Sequence, residues 1–372
     1  MILLIGNYPP DQQQSMERFS EMMLQGLAAA GVDTKLIVPD SIMGNFGWAG
    51  QFARKWLGYI DKFLWFPLRL KKILLRGATL VHICDHSNAM YVRHCRSVPV
   101  LVTCHDLIAV RSALGENTDC PVSASGRVLQ RWILSSLRRA NVVACVSQAT
   151  AKDAKNLLAK ENDSARIEVV PLGLNYPYCR LAPEVAAARL ARINVDSEYI
   201  LHVGSNLPRK NRPGVLRIFA RCRETWNGRL ILAGDVLNDD LLDLANGLGI
   251  SDRIIQVKNP SSETLEALYN CALAFLYPSS FEGFGWPIIE AQACGCPVIC
   301  ANSPPLPEVG GEAALYRRID DEAGFAADVI RLTDPRERVR WSEKSLDNAK
   351  RFSTEQMIAH YIDIYRSLRA SL

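Results

Sequence analysis

The chain contains no apolar run long enough to cross a membrane as a helix. Its opening apolar run, Met1 to Ile5, is also too short for a signal peptide, so the expectation is a cytoplasmic protein. Net charge is scarce, at +4, and gives no general case for a nucleic acid partner. Zinc-type spacing is missing. Cys294-Gly295-Cys296 places one residue between its thiols and has no histidine nearby, which argues against a zinc knuckle, and no metal is expected. The eleven cysteines are scattered and odd in number. Several fall within apolar runs (Cys104, Cys145, Cys271), which reads as small buried thiols in a reducing compartment rather than a disulfide framework. No stretch repeats another.

What is present is enough chain for two domains, 372 residues with 48% hydrophobic and 22% charged content. Met1 to Gly6 reads as the buried first strand of a parallel sheet. A polar loop, Asn7 to Ser15, leads to a helix from Met16 to Ala30, with Ser15 as a plausible N-cap and Gly31 as its stop. Thr34 to Pro39, Leu80 to Ile83, Pro99 to Cys104 and Asn141 to Ser147 read as further strands. The same grammar restarts at Tyr199 to Gly204, followed by Arg229 to Gly234, Arg253 to Asn259 and Ala272 to Tyr277. Alternating strands and helices predict α/β architecture with doubly wound parallel sheets. The expected division is a first domain over 1–176, a linker over 176–196 and a second domain over 196–353. Asp328 to Lys350 reads as helical, and residues 354–372 as a final helix.

One stretch carries most of the chemistry, Tyr277-Pro278-Ser279-Ser280-Phe281-Glu282-Gly283-Phe284-Gly285-Trp286-Pro287-Ile288-Ile289-Glu290. A buried strand leads into a loop with two glycines, and a helix begins near Pro287. Free loop amides and the positive end of a helix make an anion site. Glu282 and Glu290, seven residues between them, flank it. An acid beside an anion site makes sense if it binds hydroxyls, and a sugar attached to a phosphate supplies both. This stretch, continued by Ala293-Cys294-Gly295-Cys296-Pro297 and Pro307-Glu308-Val309-Gly310-Gly311, resembles the signature of the retaining nucleotide-sugar glycosyltransferases with two Rossmann-like domains (the GT-B kind), in their large fourth family.

The resemblance implies two Rossmann-like domains facing a cleft, with the C-terminal helix crossing back to the first domain. It implies a diphosphate clamp at Arg209 and Lys210, which follow Val203-Gly204 and combine a directional fork with a point charge. Gly204 and the amides of Gly283, Phe284 and Gly285 would assist, Glu290 would hold the ribose, and Glu282 would bind the donor sugar. Main-chain groups at Val257 and Lys258 would meet the base. The strand-end run Thr103-Cys104-His105-Asp106 is similar to the family's His-Asp, which assigns His105 to the reacting centre and Asp106 to orienting it. Ser15, where family members often carry a glycine pair, His86 and Asp106 are the acceptor-side candidates. No cofactor is implied, only a nucleotide-sugar donor and a glycan or lipid-linked acceptor.

The runs Asp85 to Ala89 and His105 to Ile108 look most like mannosyltransferases of bacterial surface polysaccharides, which favours GDP-mannose as the donor over UDP-sugars. A sugar-nucleotide epimerase, a pyridoxal-phosphate phosphorylase and a non-catalytic nucleotide-sugar-binding protein are the rival classes. Finally, Arg54, Lys55, Lys62, Arg69, Lys71, Lys72 and Arg76 stand against a single acid, Asp61, with Trp56, Tyr59, Phe63, Trp65 and Phe66 interleaved. Two readings of residues 54–76 stay open: peripheral contact with the inner face of the cytoplasmic membrane, or ordinary helices with aromatic core faces.

Overall fold

Among the described residues twelve short runs, most of them apolar, form strands, and every pairing between them is parallel. The structure, a computed structural model, describes residues 1–43, 51–159, 165–191, 193, 195 and 197–370, with the backbone alone for 51–55. It divides into two compact units, one of residues 1–175 with 354–372, the other of residues 176–353.

In the first unit, β1 (Ile2–Ile5), β2 (Thr34–Ile37), β3 (Leu80–Ile83), β4 (Val100–Cys104), β5 (Val142–Cys145) and β6 (Arg166–Val169) lie in the order β2-β1-β3-β4-β5-β6. Strands β1, β3, β4 and β5 are buried along their whole length, as expected of a sheet covered on both faces. The direction of winding reverses between β1 and β3, so the loops leaving those two strands flank the crevice where such sheets hold ligands. The helix Gln14–Ala29 buries Phe19, Met22, Met23 and Leu27, one apolar stripe at helical spacing. It begins earlier than the sequence suggests, because a tight turn at Pro9–Asp11 and a left-handed Gln12 redirect the chain first. Ser15 is therefore not the cap; it is the second residue of the helix and exposed, and Gln13 holds the cap position.

The last helix, Thr354–Ala370, belongs to this unit. Its Tyr361 and Tyr365 hydroxyls reach Thr103 Oγ1 (2.9 Å) and His82 Nδ1 (2.7 Å). At its start Thr354 donates to the Leu174 carbonyl at 2.7 Å, and the helix lies so close that a Cβ on Gly173 would fall 2.5 Å from Thr354 Cα.

In the second unit, β7 (Tyr199–Gly204), β8 (Arg229–Gly234), β9 (Ile254–Lys258), β10 (Ala274–Tyr277), β11 (Val298–Ala301) and β12 (Ala314–Arg317) run β12-β11-β10-β7-β8-β9, and the winding reverses between β10 and β7. Residues from Tyr176 onward, read as a linker from sequence, pack into this unit. The Cys179 and Leu181 amides donate to Glu266 Oε1 (2.9 Å) and Asn270 Oδ1 (2.8 Å), and Arg189 pairs with Glu266. The expected boundary at 196 lies outside the described residues. The helical stretch read over 328–350 is two helices, Glu322–Arg331 and Pro335–Ala349, separated where Asp334 caps the second ahead of its proline. The cysteines are free thiols; Cys104 and Cys145 are buried, but Cys271 is exposed at the end of its helix, against expectation.

Candidate functional site

In the second unit the loops after β7 and β10 meet at the strand-order reversal. The first carries Arg209 and Lys210 on a tight turn, and a left-handed Asn211 caps the following helix Arg212–Cys222. The second carries Glu282. Its carboxylate accepts from Arg209 Nη1 at 2.6 Å, Lys210 Nζ at 2.6 Å and the Tyr277 hydroxyl at 2.7 Å. Lys210 also donates to that hydroxyl at 2.7 Å. The loops are further tied by the Ser280 amide, which donates to the Arg209 carbonyl at 2.8 Å.

Burial alone would raise the Glu282 pKa, but the charges of Lys210 and Arg209, with hydrogen bonds from Lys210 and Tyr277, bring it down from 4.5 to about 2. Burial lowers the Lys210 pKa, opposed by Glu282. The trio is thus an ionised cluster holding two cations at the strand ends. Glu282, expected on a sugar, and the two cations, expected on a diphosphate, are brought together and pair with one another.

Beneath the cluster, His202 is fully buried on β7, and its Nδ1–H donates to the Leu276 carbonyl at 3.0 Å. Burial lowers its pKa to about 3, so the ring is neutral, and its buried Nε2 carries a lone pair. Arg212, 2% exposed, donates to Gly204 O (2.6 Å), Asp235 O (2.7 Å) and Asn206 Oδ1 (2.7 Å), binding the ends of β7 and β8 together. Gly204 is thus held through its carbonyl. Gly234 stands opposite at φ +121°, where an added Cβ would lie 2.3 Å from Gly204 O. Gly234→Ala is expected to destabilise the unit by about 1–3 kcal/mol through backbone strain and overpacking. Thermal denaturation followed by circular dichroism checks this; an unchanged midpoint would show that the two strand ends can part without cost.

Glu290 lies in the helix Trp286–Ala293, buried, and accepts from the Tyr269 hydroxyl at 3.1 Å. Gly285, at φ +107°, holds that helix's N-cap position, a conformation suited to glycine. Phe284 is buried edge-on against Phe352. Val257 is half-buried and Lys258 exposed at the end of edge strand β9.

The first unit brings a second cluster to its own reversal. Asp85, buried after β3, accepts from Asn7 Nδ2 (2.6 Å) after β1, and from the Ser87 amide (3.0 Å) and hydroxyl (2.5 Å). His86 Nδ1 lies 3.1 Å from Asp85 Oδ1. Asn7 also donates to Gln13 and accepts from Asn88 Nδ2 at 3.0 Å. Burial opposes both charges, yet each sustains the other: the Asp85 pKa falls below the carboxylate range and the His86 pKa rises.

His105 is buried after β4, edge-on to Phe19 with ring centroids 4.9 Å apart. Its Nε2–H donates to the Cys84 carbonyl at 2.9 Å, and burial lowers its pKa, which leaves Nδ1 as the lone-pair nitrogen of a neutral ring. Asp106 does not orient His105; its carboxylate accepts from the Ile108 amide at 3.1 Å at the start of the helix Ile108–Ala113.

Tyr277, His202 and Arg212 in one unit and Asn7 and Asp85 in the other are thus residues that sequence reasoning did not assign. Tyr277 and Asp85 were the first residues of quoted runs at strand ends, which was the available signal. Arg212 had none, since its role arises only where two strand ends meet.

Residues 16–176 match the family model described as Glycosyltransferase Family 4, and residues 189–346 match Glycosyl transferases group 1. The chain is 31% identical to O-antigen chain mannosyltransferase B of Escherichia coli, over 65% of this chain and 65% of that protein. It is 30% identical to the D-inositol 3-phosphate glycosyltransferase of Mycolicibacterium smegmatis, over 72% and 60%. It spans less than two thirds of the length of these relatives. Among solved structures, sucrose-phosphate synthase from Thermosynechococcus elongatus superposes with a TM-score of 0.78 at 20% identity, covering 100% of this chain and 99% of that one. HepE of Anabaena, in complex with UDP, gives 0.74 at 13% identity, covering 98% and 99%. These two likenesses establish the fold.

Proposed function

We propose, from the premise that this chain belongs to family 4 of the glycosyltransferases and carries their group 1 domain, that it moves a hexose from a nucleotide-sugar to a hydroxyl of a glycan or lipid-linked glycan. The observation that supports this most is the meeting of Arg209, Lys210 and Glu282 at the strand-order reversal of the second unit. Cleaving a sugar–diphosphate bond puts negative charge on the leaving group, and two fixed cations in a water-poor site stabilise that charge without a metal.

In the proposed cycle the diphosphate takes the place of Glu282 beside Arg209 and Lys210. The freed carboxylate then accepts hydrogen bonds from the donor sugar's hydroxyls. The cations are already gathered before the donor arrives, so little reorganisation is left for the reaction itself. Glu290 holds the ribose, and the amides of Gly283, Phe284 and Gly285 face the phosphates. Gly204, Val257 and Lys258 keep their donor-side assignments, and Ser15, His86 and Asp106 their acceptor-side ones. His105 keeps the sugar-facing role that family resemblance gives it, with its neutral ring in place of a charged acid. The configuration at the anomeric carbon is retained by front-face attack, the leaving phosphate taking the acceptor's proton.

The preferred donor is GDP-mannose, a reading favoured by likeness to a mannosyltransferase. A UDP-sugar is the second reading, favoured by a structural neighbour that binds UDP. A thermal-shift series with GDP-mannose, UDP-glucose and UDP-galactose decides between them. A donor at a hundred times its Kd stabilises the folded state by about 2.7 kcal/mol, and GDP-mannose is expected to give the largest rise. A larger rise with a UDP-sugar reverses the assignment. Product analysis with donor alone separates transfer from epimerisation. No helix among the described residues is long and apolar enough to cross a membrane. A cytoplasmic location at the inner membrane face, through the surface taken up next, is part of this proposal.

A further inference from the structure

Residues 51–74 of the first unit form one continuous helical rod: α-helical at Gln51–Ile60, a π-turn at Asp61–Trp65, and α-helical again at Phe66–Leu74. Its inner face is anchored. Phe66, Leu70, Ile73 and Leu74 join the core, and buried Asp61 accepts from the Tyr8 hydroxyl at 2.8 Å and the Met43 amide at 3.0 Å. Its outer side carries large apolar side chains where a surface helix would carry polar ones. Trp56, Leu64, Trp65, Leu68 and Leu75 are 55%, 57%, 49%, 54% and 81% exposed, with Ile60 beside them. The adjacent residues Leu64 and Trp65, at the end of the π-turn, are both exposed. Large apolar side chains exposed one after another along a single helical rod mark an interaction surface.

The surroundings of that face supply the charge. Lys71, Lys72 and Arg76 are exposed at its C-terminal end. At the other side an aromatic ladder runs from Trp56 to Tyr59 (5.6 Å between ring centroids), Phe63 (5.5 Å) and Trp132 (5.2 Å), and the Arg93 guanidinium lies 4.7 Å over Trp132. Arg93 is on the rim of a hollow of about 340 Å³ lined also by Arg96, Arg139, Ser97 and Asn141, with no acid in its lining. It lies at the N-terminal end of β4, where the Val100 amide donates to Asn141, the opposite end of the sheet from Asp85 and His105. Catalysis by the strand-end clusters has no use for it. An apolar row, a cationic hollow and an aromatic ladder that links Trp56 of the row to Arg93 of the hollow match the layers of a lipid interface: acyl chains, headgroup phosphates and the boundary that indole rings favour.

We propose that this face docks on an anionic phospholipid bilayer, with the apolar row entering the acyl boundary and Arg93, Arg96 and Arg139 holding lipid phosphates. The assignment deepens the membrane contact named above and is independent of the donor.

The test uses the full chain and co-sedimentation with phosphatidylglycerol–phosphatidylcholine vesicles against pure phosphatidylcholine. Binding to the anionic vesicles only, weakening with salt, is expected. The variant Leu64→Glu with Leu68→Glu is expected to abolish it. Arg96→Ala with Arg139→Ala is expected to weaken it about 25-fold, roughly fivefold for each surface cation. Lys152→Ala with Lys155→Ala, exposed cations on the helix Gln148–Leu158, should change it less than twofold. Brominated lipids should quench tryptophan fluorescence in the wild type and less so in Trp65→Phe, a readout that needs no charged variant.

Equal binding to both vesicle types, binding that survives the glutamates, or a control pair as damaging as the arginine pair overturns the proposal. So does a stable dimer in solution that the glutamates dissolve while vesicle binding is absent, since the face would then cover a second copy. Donor-induced thermal shifts, unchanged in all these variants, report on the glycosyltransferase reading separately.

Discussion

Lys210→Ala is expected to lower sugar transfer by about 10²–10³-fold in kcat, the usual cost of removing one group aimed at developing charge. Lys210 Nζ is 2.6 Å from Glu282 Oε1 and 2.7 Å from the Tyr277 hydroxyl, so it is held rather than mobile. Alanine leaves Glu282 paired with Arg209, at 2.6 Å, and the stability cost is that of one charged hydrogen bond, about 2 kcal/mol. The chain should remain folded while transfer is lost. Adding Glu282→Ala should restore part of the stability, because a buried acid short of a partner goes with it, but none of the activity. Steady-state transfer and urea denaturation on the wild type, Lys210→Ala, Glu282→Ala and the double variant check this. Near-wild-type turnover in Lys210→Ala would remove that residue from the chemistry.

Glu282→Gln separates charge from hydrogen bonding. The Glu282 pKa falls from 4.5 in the unfolded reference to about 2 in the fold. A depressed acid stabilises the fold above its unfolded pKa, so this contribution is complete above about pH 4.5 and disappears as pH falls towards 2. The glutamine variant should lack that acid-sensitive component.

The strands were legible because parallel strands buried on both faces read as unbroken apolar runs, as Ile2–Ile5 and Val298–Ala301 do. Motif order then set Arg209 and Lys210 after one strand and Glu282 after another, and these are the two strands at which the winding reverses. What spacing could not supply is partnership. The pairing of Glu282 with Arg209 and Lys210 was not legible, because spacing along the chain names the loops but not which side chains meet across them. Ser15 was misplaced because the capping pattern ignores the turn at Pro9–Asp11 that starts the helix sooner. The break before Pro335 carried a readable signal, an acid ahead of proline. Residues 54–76 stood out by their cations and interleaved aromatics, but which of them face outward was not readable, because the register depends on a π-turn that no 3.6-residue pattern contains.

Asp85→Ala is expected to cost the first unit about 3–5 kcal/mol, the range for removing one member of a buried charged network. The carboxylate is the common acceptor for Asn7, the Ser87 amide and the Ser87 hydroxyl, and it stands 3.1 Å from His86. Through Asn7 it also fixes the loop that leads into the helix Gln14–Ala29, so the damage should reach β1 and β3 together. The pH dependence identifies the cause. Asp85 has a lowered pKa, so its contribution is present above the unfolded value of 3.8 and is lost on acidification. His86 has a raised pKa, so its contribution is complete below 6.5 and is lost as pH rises through the folded value. The penalty for Asp85→Ala should therefore be greatest between about pH 4 and 6.5 and shrink on either side. Hydrogen exchange at the β1 and β3 amides, measured across that range, isolates this unit from the other. A penalty independent of pH would mean that Asp85 serves only as a hydrogen-bond acceptor, and Asp85→Asn should then recover most of the loss.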